Sequence, residues 1–465
     1  MRTGHNGNMP SLASSVPPDG AGSAELLEAQ LRQAEPRLWP NPDWQAAPAP
    51  GELGQAQISG AQQRFERAAA LLARVFPVLT ETGGRIASPL VRSVELQRAL
   101  GLDAACGALW LKCDHLLPVA GSVKARGATY EILELAERLA LAHGLMAAGD
   151  DLTVLASAPA RALFAQHEVA VGSTGNLGMG VGLIAKALGF RARVHMSHDA
   201  KAWKKARLRA HGVEVLEHAG DYALAVQAGR EAAAQDPLCH FVDDEQSRSL
   251  LLGYSVAAGE LQAQLDAAGV VVDARHPLFV YLPCGVGGAP GGITLGLRER
   301  FGPHVHCFFA EPVQSPCMLL QLRAGLGAEP SVYDMGLTNR TEADGLAVAQ
   351  ASRLAAGLMR ERLSGVYTVD DATLFQHLVR AHEAEGLRIE PSAAAALEGP
   401  LRLTHSAVGR AWLAQTGLIA QLPQATHVAW TTGGSLLPDT EFEQFLARGR
   451  GLSATTTATA TAAAS

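Results

Sequence analysis

The spacing of hydrophobic residues predicts two helices near the start of the chain. Apolar residues recur at intervals of three and four positions from Leu26 to Arg37 and again from Ala61 to Val75, which is the repeat of one face of an α-helix. The second segment stops before Phe76-Pro77, because proline disfavours helical backbone in the residue before it. We expect both helices to precede the main fold.

From residue 110 onward, short apolar runs alternate with helical patterns. The runs that predict strands are 110–113, 167–171, 193–196, 213–217, 240–242, 278–282, 304–310 and 427–430. The helical patterns between them cover about 128–143, 178–188, 200–211 and 221–235, and a further helix follows the glycines at 285–292. Such alternation is typical of parallel sheets, whose strands are joined by crossover helices.

We therefore predict an α/β fold with two open parallel-sheet domains and flanking helices. The alternation of apolar runs and helical segments changes in character near residue 165 and again between 262 and 277. Residues 166–262 are accordingly assigned to a smaller domain, and residues 23–165 and 263–450 to a larger, discontinuous one. Residues 1–22 and 451–465 are low in complexity and have little apolar surface to bury, so we expect both ends to be disordered.

Composition narrows the function classes. The chain has 465 residues, of which 48% are hydrophobic and 18% charged, as in ordinary soluble globular proteins. Its formal net charge of -7 argues against a nucleic-acid partner, because phosphates favour a basic surface. No stretch approaches the roughly 20 consecutive apolar residues that a membrane span needs, so no membrane partner is expected.

Cysteine usage points to a reducing compartment. The six cysteines form no C-x-x-C pair and have no disulfide-framework spacing, so we expect reduced thiols. The first residues also lack the continuous apolar core of a secretory signal. We therefore expect a cytoplasmic protein.

One lysine lies in an unusual setting. The stretch Pro118-Val-Ala-Gly-Ser-Val-Lys-Ala-Arg-Gly127 surrounds Lys124 with small residues, which let backbone or a flat ligand approach closely. Ser122 can turn its hydroxyl toward whatever the amine holds. We interpret Lys124 as a candidate for a covalent imine. A solvated loop lysine is the alternative for this stretch taken alone.

A second loop, Gly172-Ser-Thr-Gly-Asn-Leu-Gly-Met-Gly180, leads from a predicted strand into a predicted helix. Its hydroxyls, side-chain amide and backbone N–H groups suit a small anion such as a carboxylate. The amide of Asn176 could also hydrogen-bond a ring oxygen. A simple helix cap is the structural alternative.

A third loop, Cys284-Gly-Val-Gly-Gly-Ala-Pro-Gly-Gly292, follows a buried strand. Closely spaced glycines before a helix predict a backbone cradle for a phosphate. The rival interpretation is a dinucleotide fingerprint, because Gly285 and Gly287 begin G-x-G-x-x-G and Glu311 follows at a suitable distance. Pro290 stands where the third glycine belongs, and that motif does not account for Lys124.

The fourth feature is Thr432, between a predicted strand and Gly433-Gly434. A neutral hydroxyl facing a pyridine nitrogen would leave that nitrogen largely unprotonated, whereas an aspartate would protonate it. An unprotonated ring favours loss of a leaving group at the β-carbon. Alone, Thr432 is equally consistent with an ordinary loop hydroxyl.

Together these loops carry a family resemblance. The segments 122–127, 173–176 and 285–288 resemble the fold-type-II pyridoxal-phosphate enzymes, the group of the tryptophan synthase β-subunit and threonine dehydratase. A closer resemblance, to the bacterial D-serine dehydratase family, is carried by further segments and extends over about residues 60–450. Those segments are 194–197, 202–206, 304–312, 343–348 and 390–393.

The resemblance implies a role for each loop. Lys124 would form the Schiff base with pyridoxal 5'-phosphate, and Asn176 would contact its ring. Thr432 would face the pyridine nitrogen. The phosphate would be held by Gly285, Val286, Gly287 and Gly288, and the substrate carboxylate by Ser173 and Thr174. Ala289 replaces a glycine of the family's phosphate loop, which is tolerable if its φ is negative.

The expected reaction is the elimination of water from D-serine, giving pyruvate and ammonia from a small amino-acid substrate. The resemblance also implies a monomer and allows a monovalent cation, K⁺ or Na⁺, at Glu311, for which a helix cap or a core ion pair is the alternative. Lyases for L-serine, threonine or diaminopropionate, a β-replacement synthase, and an inactive α/β ligand-binding protein remain open.

Two charged segments are less specific. Lys201, Lys204 and Lys205 belong to a basic run that we interpret as the solvated face of a helix. The acidic residues Asp243-Asp-Glu245 follow a predicted strand end and could help to assemble the active site.

Overall fold

The computed structural model of the protein describes residues 21–173, 175–198, 200–220 and 222–463. Its eleven strands in this part of the chain form two sheets. The strands are β1 (Leu38–Pro40), β2 (Leu90–Arg92), β3 (Ala108–Lys112), β4 (Glu168–Gly172), β5 (Arg191–Ser197), β6 (Glu214–His218), β7 (Cys239–Val242), β8 (Leu278–Pro283), β9 (Val305–Pro312), β10 (Gly365–Val369) and β11 (Thr426–Trp430).

The α-helices fill the intervals between the strands and cover both ends of the described chain. They are α1 (Ala21–Arg32), α2 (Gln55–Val75), α3 (Val94–Ala99), α4 (Lys124–Ala142), α5 (Ala158–Phe164), α6 (Asn176–Leu188), α7 (Ala202–Ala210), α8 (Tyr222–Ala234), α9 (Arg248–Ser255), α10 (Ala257–Ala267), α11 (Gly288–Phe301), α12 (Cys317–Ala324), α13 (Arg353–Met359), α14 (Asp371–Glu385), α15 (Pro391–Ala394), α16 (Gly399–His405), α17 (Ala407–Gln415) and α18 (Asp439–Ala463).

The larger sheet has seven strands in the order β1-β10-β9-β8-β11-β3-β2, and the smaller has four in the order β6-β5-β4-β7. All pairs in the smaller sheet are parallel, as are the inner pairs of the larger one. The predicted α/β class with two parallel sheets is confirmed. Among the described strands, only the outer strands β1 and β2 run antiparallel to their neighbours.

The parallel strands have the burial expected for strands covered on both faces. Every residue of β4, β8, β9, β10 and β11 is buried, which explains why β8 is a continuous apolar run rather than an alternating one. The carboxyl ends of such strands form one edge of a sheet, where loops meet helix N-termini. The segments that begin at Cys113, Ser173, Cys284 and Thr431 all follow such strand ends.

Helix packing brings the two sheets together around Tyr254. This residue of α9 is fully buried, and its side chain lies so close to Gly127 of α4 and Gly292 of α11 that neither glycine could carry a methyl group. Glycine is required at both positions because the helices approach closely. The first turn of α4, which begins at Lys124, is thereby held at the junction of the sheets.

The domain boundaries stay a prediction, although every strand of the smaller sheet lies within the interval 166–262. Residues 1–20 of the expected disordered N-terminus lie outside the described residues. The disordered tail after residue 450 also stays a prediction; α18 is bounded by Asp439 and Ala463.

All six cysteines are free thiols, as predicted. Four are buried, whereas Cys106 and Cys239 are partly accessible. In the described part of the chain, no helix is both long and apolar enough to cross a membrane.

Candidate active site

The four loops singled out in the sequence meet around one cavity. It lies between loops of the larger sheet and loops of the smaller one. The predicted residues that line it are Lys124, Ser173, Asn176, Gly285, Val286, Gly287, Gly288 and Thr432. Thr174, the second residue predicted to hold a carboxylate, lies outside the described residues.

Lys124 is the first residue of α4, and its amine is partly accessible from the cavity. The Nζ atom lies 2.9 Å from Oδ2 of Asp244, and the two side chains are 19% and 9% exposed. The ring of Tyr254 lies 5.8 Å from the same Nζ atom. The lysine is therefore not the solvated loop residue of the alternative interpretation.

Asp244 joins the lysine to the glycine loop. It follows β7, in the acidic segment that we expected to help assemble the site, and it lines the cavity. A Cβ atom on Gly288 would lie 2.9 Å from Oδ1 of Asp244. This Oδ1 atom is buried and has no hydrogen-bond partner among the described residues, so one carboxylate oxygen is left for a group inside the cavity.

The glycine loop has the backbone of an anion cradle. Gly287, just before α11, has a φ of +109°, a conformation in which side chains are strained. A Cβ on Gly287 would also overlap the methyl group of Met318, and one on Gly285 would lie 3.0 Å from the carbonyl oxygen of Gly345. The first N–H groups of α11 have no acceptor within the helix, and the residues that carry them line the cavity.

This loop fits the phosphate of the implied cofactor. Helix N-termini with close backbone approach bind phosphate without a basic side chain. Ala289, which departs from the family pattern, is not among the non-glycine residues with positive φ in the described chain. Its methyl group therefore leaves the helix start undistorted. The unpaired Asp244 oxygen and the buried, unpaired Oγ atom of Ser122 provide further polar groups near Lys124.

Ser173 caps the helix on the opposite side of the cavity. Its Oγ atom accepts hydrogen bonds from the backbone N–H groups of Gly175, at 3.0 Å, and Gly178, at 2.9 Å. The predicted helix cap is thus present. Capping uses the oxygen as acceptor and leaves the hydroxyl proton free to donate, so capping and anion binding are compatible.

Asn176 is held by a buried carboxylate. Its Nδ2 atom donates to Oε1 of Glu390 at 2.8 Å, which leaves the amide oxygen and one N–H for the cavity. Burial raises the pKa of Glu390 to about 7, although the nearby Lys204 ammonium acts in the opposite direction. Local sequence offers no chemical reason to select Glu390, because its partner is 214 residues away.

The prediction that Lys204 and Lys205 lie on a solvated face is wrong. The side chain of Lys204 is 3% exposed and its Nζ atom lies 2.7 Å from Oδ2 of Asp344. Lys205 is 8% exposed and pairs with Glu217 at 2.7 Å. Their charges are stabilised by these partners, a possibility that helical spacing alone does not reveal. Of the three lysines, only Lys201 is substantially accessible.

Thr432 lies beside the start of α4. Its carbonyl oxygen accepts a hydrogen bond from the N–H of Val123 at 2.8 Å, and Ser122 forms a bridge with Gly433. The loop after β11 is therefore fixed to the two residues that immediately precede Lys124. Whether its hydroxyl meets a ring nitrogen stays a prediction.

A buried group of four charges supports the Lys124 stretch and was not anticipated. Arg126 donates to Asp114 at 2.7 Å and to Glu260 at 2.7 Å, and the fully buried Lys112 pairs with Glu260. Burial acts to raise the pKa of Asp114, but Arg126 outweighs it and lowers that pKa to about 2. These salt bridges connect β3, α4 and α10 near the candidate catalytic lysine.

Glu311 lies at the carboxyl end of β9 and caps the following helix. Its Oε1 and Oε2 atoms accept hydrogen bonds from the N–H groups of Met318, at 2.7 Å, and Leu319, at 3.0 Å. Burial raises the pKa of its carboxyl group to about 8. The helix-cap alternative therefore describes the contacts of Glu311.

Comparison with known proteins identifies the class of enzyme. The family profile described as "Pyridoxal-phosphate dependent enzyme" matches residues 82–410, which is most of the chain. The chain therefore belongs to the family of pyridoxal-phosphate-dependent enzymes, and pyridoxal phosphate is the cofactor that the cavity fits.

Among its relatives are proteins named as probable D-serine dehydratases. The one from Acidovorax ebreus (strain TPSY) is 59% identical over 453 residues, 96% of this chain and 100% of the relative. The one from Paracidovorax citrulli (strain AAC00-1) is 64% identical over 374 residues, 80% of this chain and 83% of the relative. The resemblance inferred from the motifs is thus confirmed over nearly the whole sequence.

Solved structures agree on the fold. Diaminopropionate ammonia lyase from Escherichia coli, in a complex with D-serine, has a TM-score of 0.68 and 18% identity, covering 89% of this chain and 97% of the other. A fungal L-serine ammonia-lyase from Rhizomucor miehei has a TM-score of 0.59 and 21% identity, covering 77% and 97%. At these identities the similarity establishes the fold alone.

Proposed function

We propose that the protein eliminates water from D-serine and releases aminoacrylate, which one water molecule then hydrolyses to pyruvate and ammonia. The observation that carries the proposal is the shared cavity, in which the Lys124 amine, the Asp244 carboxylate and a glycine phosphate cradle adjoin one another. The probable D-serine dehydratase relatives, which span nearly the whole chain, support D-serine as substrate.

The cofactor supplies one chemical property when it is bound. Pyridoxal phosphate stabilises negative charge at the α-carbon of an amino acid that is joined to it. Gly285, Gly287 and Gly288 would hold its phosphate through backbone N–H groups at the start of α11. Lys124 would hold it through Nζ and would give way to the amino group of the substrate.

The remaining residues orient the substrate and carry protons. Ser173 donates its hydroxyl proton to the substrate carboxylate, together with Thr174. Asp244 lies at hydrogen-bonding distance from Nζ of Lys124 and can accept the proton that the amine loses as it forms its covalent bond. Asp244 and Lys124 are the two groups that can then exchange protons with the α-carbon and with the departing hydroxyl.

Thr432 inclines the chemistry toward elimination. Its hydroxyl is neutral, and an aspartate in its position would introduce a negative charge and stabilise a protonated ring nitrogen. Less charge would then be withdrawn into the ring, which would favour loss of the β-hydroxyl. Asn176, fixed by Glu390, would contact the ring.

Three finer features belong to the same proposal. We propose that the enzyme is a monomer that works in the cytoplasm on a free amino acid. We also propose that Glu311 can take part in binding a monovalent cation, K⁺ or Na⁺. Its buried carboxylate, with a raised pKa, would be stabilised in its charged form by such an ion.

The proposal is tested by absorbance and product formation. Purified protein with added pyridoxal phosphate should absorb in the near-visible range and form pyruvate from D-serine. Lys124→Ala should lose both properties, whereas the control Lys186→Ala, at a half-buried position in α6, should keep both. A protein that stays colourless with added cofactor would contradict the proposal.

A further inference from the structure

Lys204 is a buried lysine that the proposed chemistry does not use. It belongs to α7, beside the smaller sheet, and pairs with Asp344 at 2.7 Å. Its neighbour Lys205 is buried to a similar degree but pairs with different residues. Lys205 contacts Glu217 of β6 and the carbonyl oxygen of His198, and both of these belong to the smaller sheet or its loops.

The Lys204 side chain lies directly against the loop predicted to bind a carboxylate. A Cβ atom on Gly175 would lie 2.5 Å from Cδ and 2.7 Å from Nζ of Lys204. The lysine stem therefore fills the space behind Gly175. Its position limits how far the Ser173–Asn176 loop can move away from the cavity.

The partner of Lys204 comes from the other side of the cavity. Asp344 precedes the segment 345–348, which lines the cavity and approaches the phosphate loop where Gly345 lies against Gly285. The Lys204–Asp344 pair thus connects the carboxylate loop of the smaller sheet with the cofactor side of the larger one.

A second contact also joins this loop to a residue outside the smaller sheet. Asn176, at the end of the same loop, donates to Glu390 of the larger domain, and the charges of Lys204, Asp344 and Glu390 act on one another. Because the Lys204 ammonium is directly paired, its charge is largely balanced by Asp344. Its influence on a substrate is therefore mainly geometric rather than a long-range attraction.

We propose that Lys204 is a positioning residue for the substrate carboxylate: through Asp344 and Gly175 it holds Ser173 and Asn176 against the cavity. The proposal rests on the proposed function in assigning the carboxylate to that loop. Lys204 itself touches neither substrate nor cofactor.

The test compares Lys204→Met with Lys205→Met in the cofactor-loaded protein. Methionine keeps an unbranched apolar stem and removes the ammonium group, and the two positions are adjacent on one helix and similarly buried. D-alanine, which lacks a β leaving group, serves as the probe. Its apparent Kd is obtained from the change in cofactor absorbance, so the readout does not depend on turnover.

Lys204→Met should raise the Kd for D-alanine at least about tenfold, because Ser173 and Asn176 are no longer held in place, while the absorbance of the bound cofactor without ligand stays unchanged. Lys205→Met should leave the Kd within about twofold. With D-serine, Lys204→Met should raise KM more than it lowers kcat. Equal Kd values for the two variants would overturn the proposal.

Asp344→Asn provides a second route if Lys204→Met does not fold, because Asp344 is about one-third exposed and tolerates substitution better. It should weaken D-alanine binding in the same direction, and an unchanged Kd would overturn the proposal. Wild-type protein that binds D-alanine but forms no pyruvate from D-serine would contradict the proposed function alone.

Discussion

Nζ of Lys124 lies 2.9 Å from Oδ2 of Asp244, in a cavity that the phosphate loop also lines. The pair comes from the first residue of α4 and the segment after β7, which are 120 residues apart in sequence. A largely buried carboxylate beside the lysine gives the amine a proton acceptor within the site.

Asp244→Asn should retain the cofactor but lose most of its turnover. The amide keeps the size of the side chain and removes the proton acceptor, so kcat for D-serine should fall by about 10²–10⁴, the usual contribution of a general base. Pyruvate formation measures kcat, and absorbance measures the bound cofactor. Asp243→Asn is the matched control, because Asp243 pairs with the partly exposed Arg230. An Asp244→Asn enzyme with wild-type kcat would remove Asp244 from the mechanism.

Gly287→Ala should weaken cofactor binding, whereas Gly291→Ala should not. Gly287 has a positive φ and no room for a methyl group beside Met318, and strain of about 1–3 kcal/mol corresponds to a loss of affinity of about 5- to 150-fold. A methyl group on Gly291 would make ordinary contacts of 3.6 Å with Ala355 and Leu251. Titration of the apoprotein with pyridoxal phosphate measures both values. Equal affinities would mean that the loop does not hold the phosphate.

Arg126→Met should destabilise the fold strongly. It leaves Asp114 and Glu260 buried with an unbalanced negative charge, and breaking a buried pair in this way costs about 3–5 kcal/mol. The control Arg360→Met breaks an exposed pair with Asp43, for which less than about 1 kcal/mol is expected. Chemical denaturation gives both unfolding free energies. A loss of similar size in the two variants would show that the buried group is not important for stability.

The unfolding free energy should change with pH because Glu311 binds a proton more tightly in the folded protein. Its carboxyl group has a pKa of about 8 in the native state against 4.5 ordinarily, so the folded protein holds a proton that the unfolded chain releases between those values. The contribution to the unfolding free energy is full below pH 4.5 and is lost as the pH rises through about 8. Its slope is at most about 1.4 kcal/mol per pH unit.

Glu311→Gln should flatten that part of the stability profile. Glu390, whose pKa is raised to about 7, contributes with the same sign and should remain in the variant. Potassium should flatten the wild-type profile toward that of Glu311→Gln if the carboxylate takes part in cation binding, because the ion stabilises the charged form. Profiles of the two proteins that coincide without added K⁺ or Na⁺ would contradict the assignment of Glu311.

Local patterns in the sequence predicted part of the fold. Buried parallel strands are continuous apolar runs, so β8 and β9 were recognised. The three-residue edge strands β1 and β2 were missed, since so short a segment has no measurable period. Strand β10 was also missed, because Gly365 and Thr368 interrupt its apolar run.

The candidate site also has residues that the sequence predicts and residues that it does not. Lys124 and the glycine loop are recognisable from the small residues around them in sequence, and the structure brings them to one cavity. Asp244 was indicated only as part of an acidic segment after a strand. Glu390 and Lys204 acquire their roles from partners 214 and 140 positions away, and helical spacing assigned Lys204 to the solvent. Long-range burial of charge is decided by the packing between sheets, which a linear pattern does not contain.

Steady-state kinetics on the two enantiomers of serine test the central claim most directly. The protein loaded with pyridoxal phosphate should form pyruvate from D-serine with a kcat/KM at least about tenfold above that for L-serine, a discrimination of about 1.4 kcal/mol. Faster turnover of L-serine, threonine or diaminopropionate would assign the chain to another lyase activity. If neither enantiomer gives pyruvate, the account is contradicted.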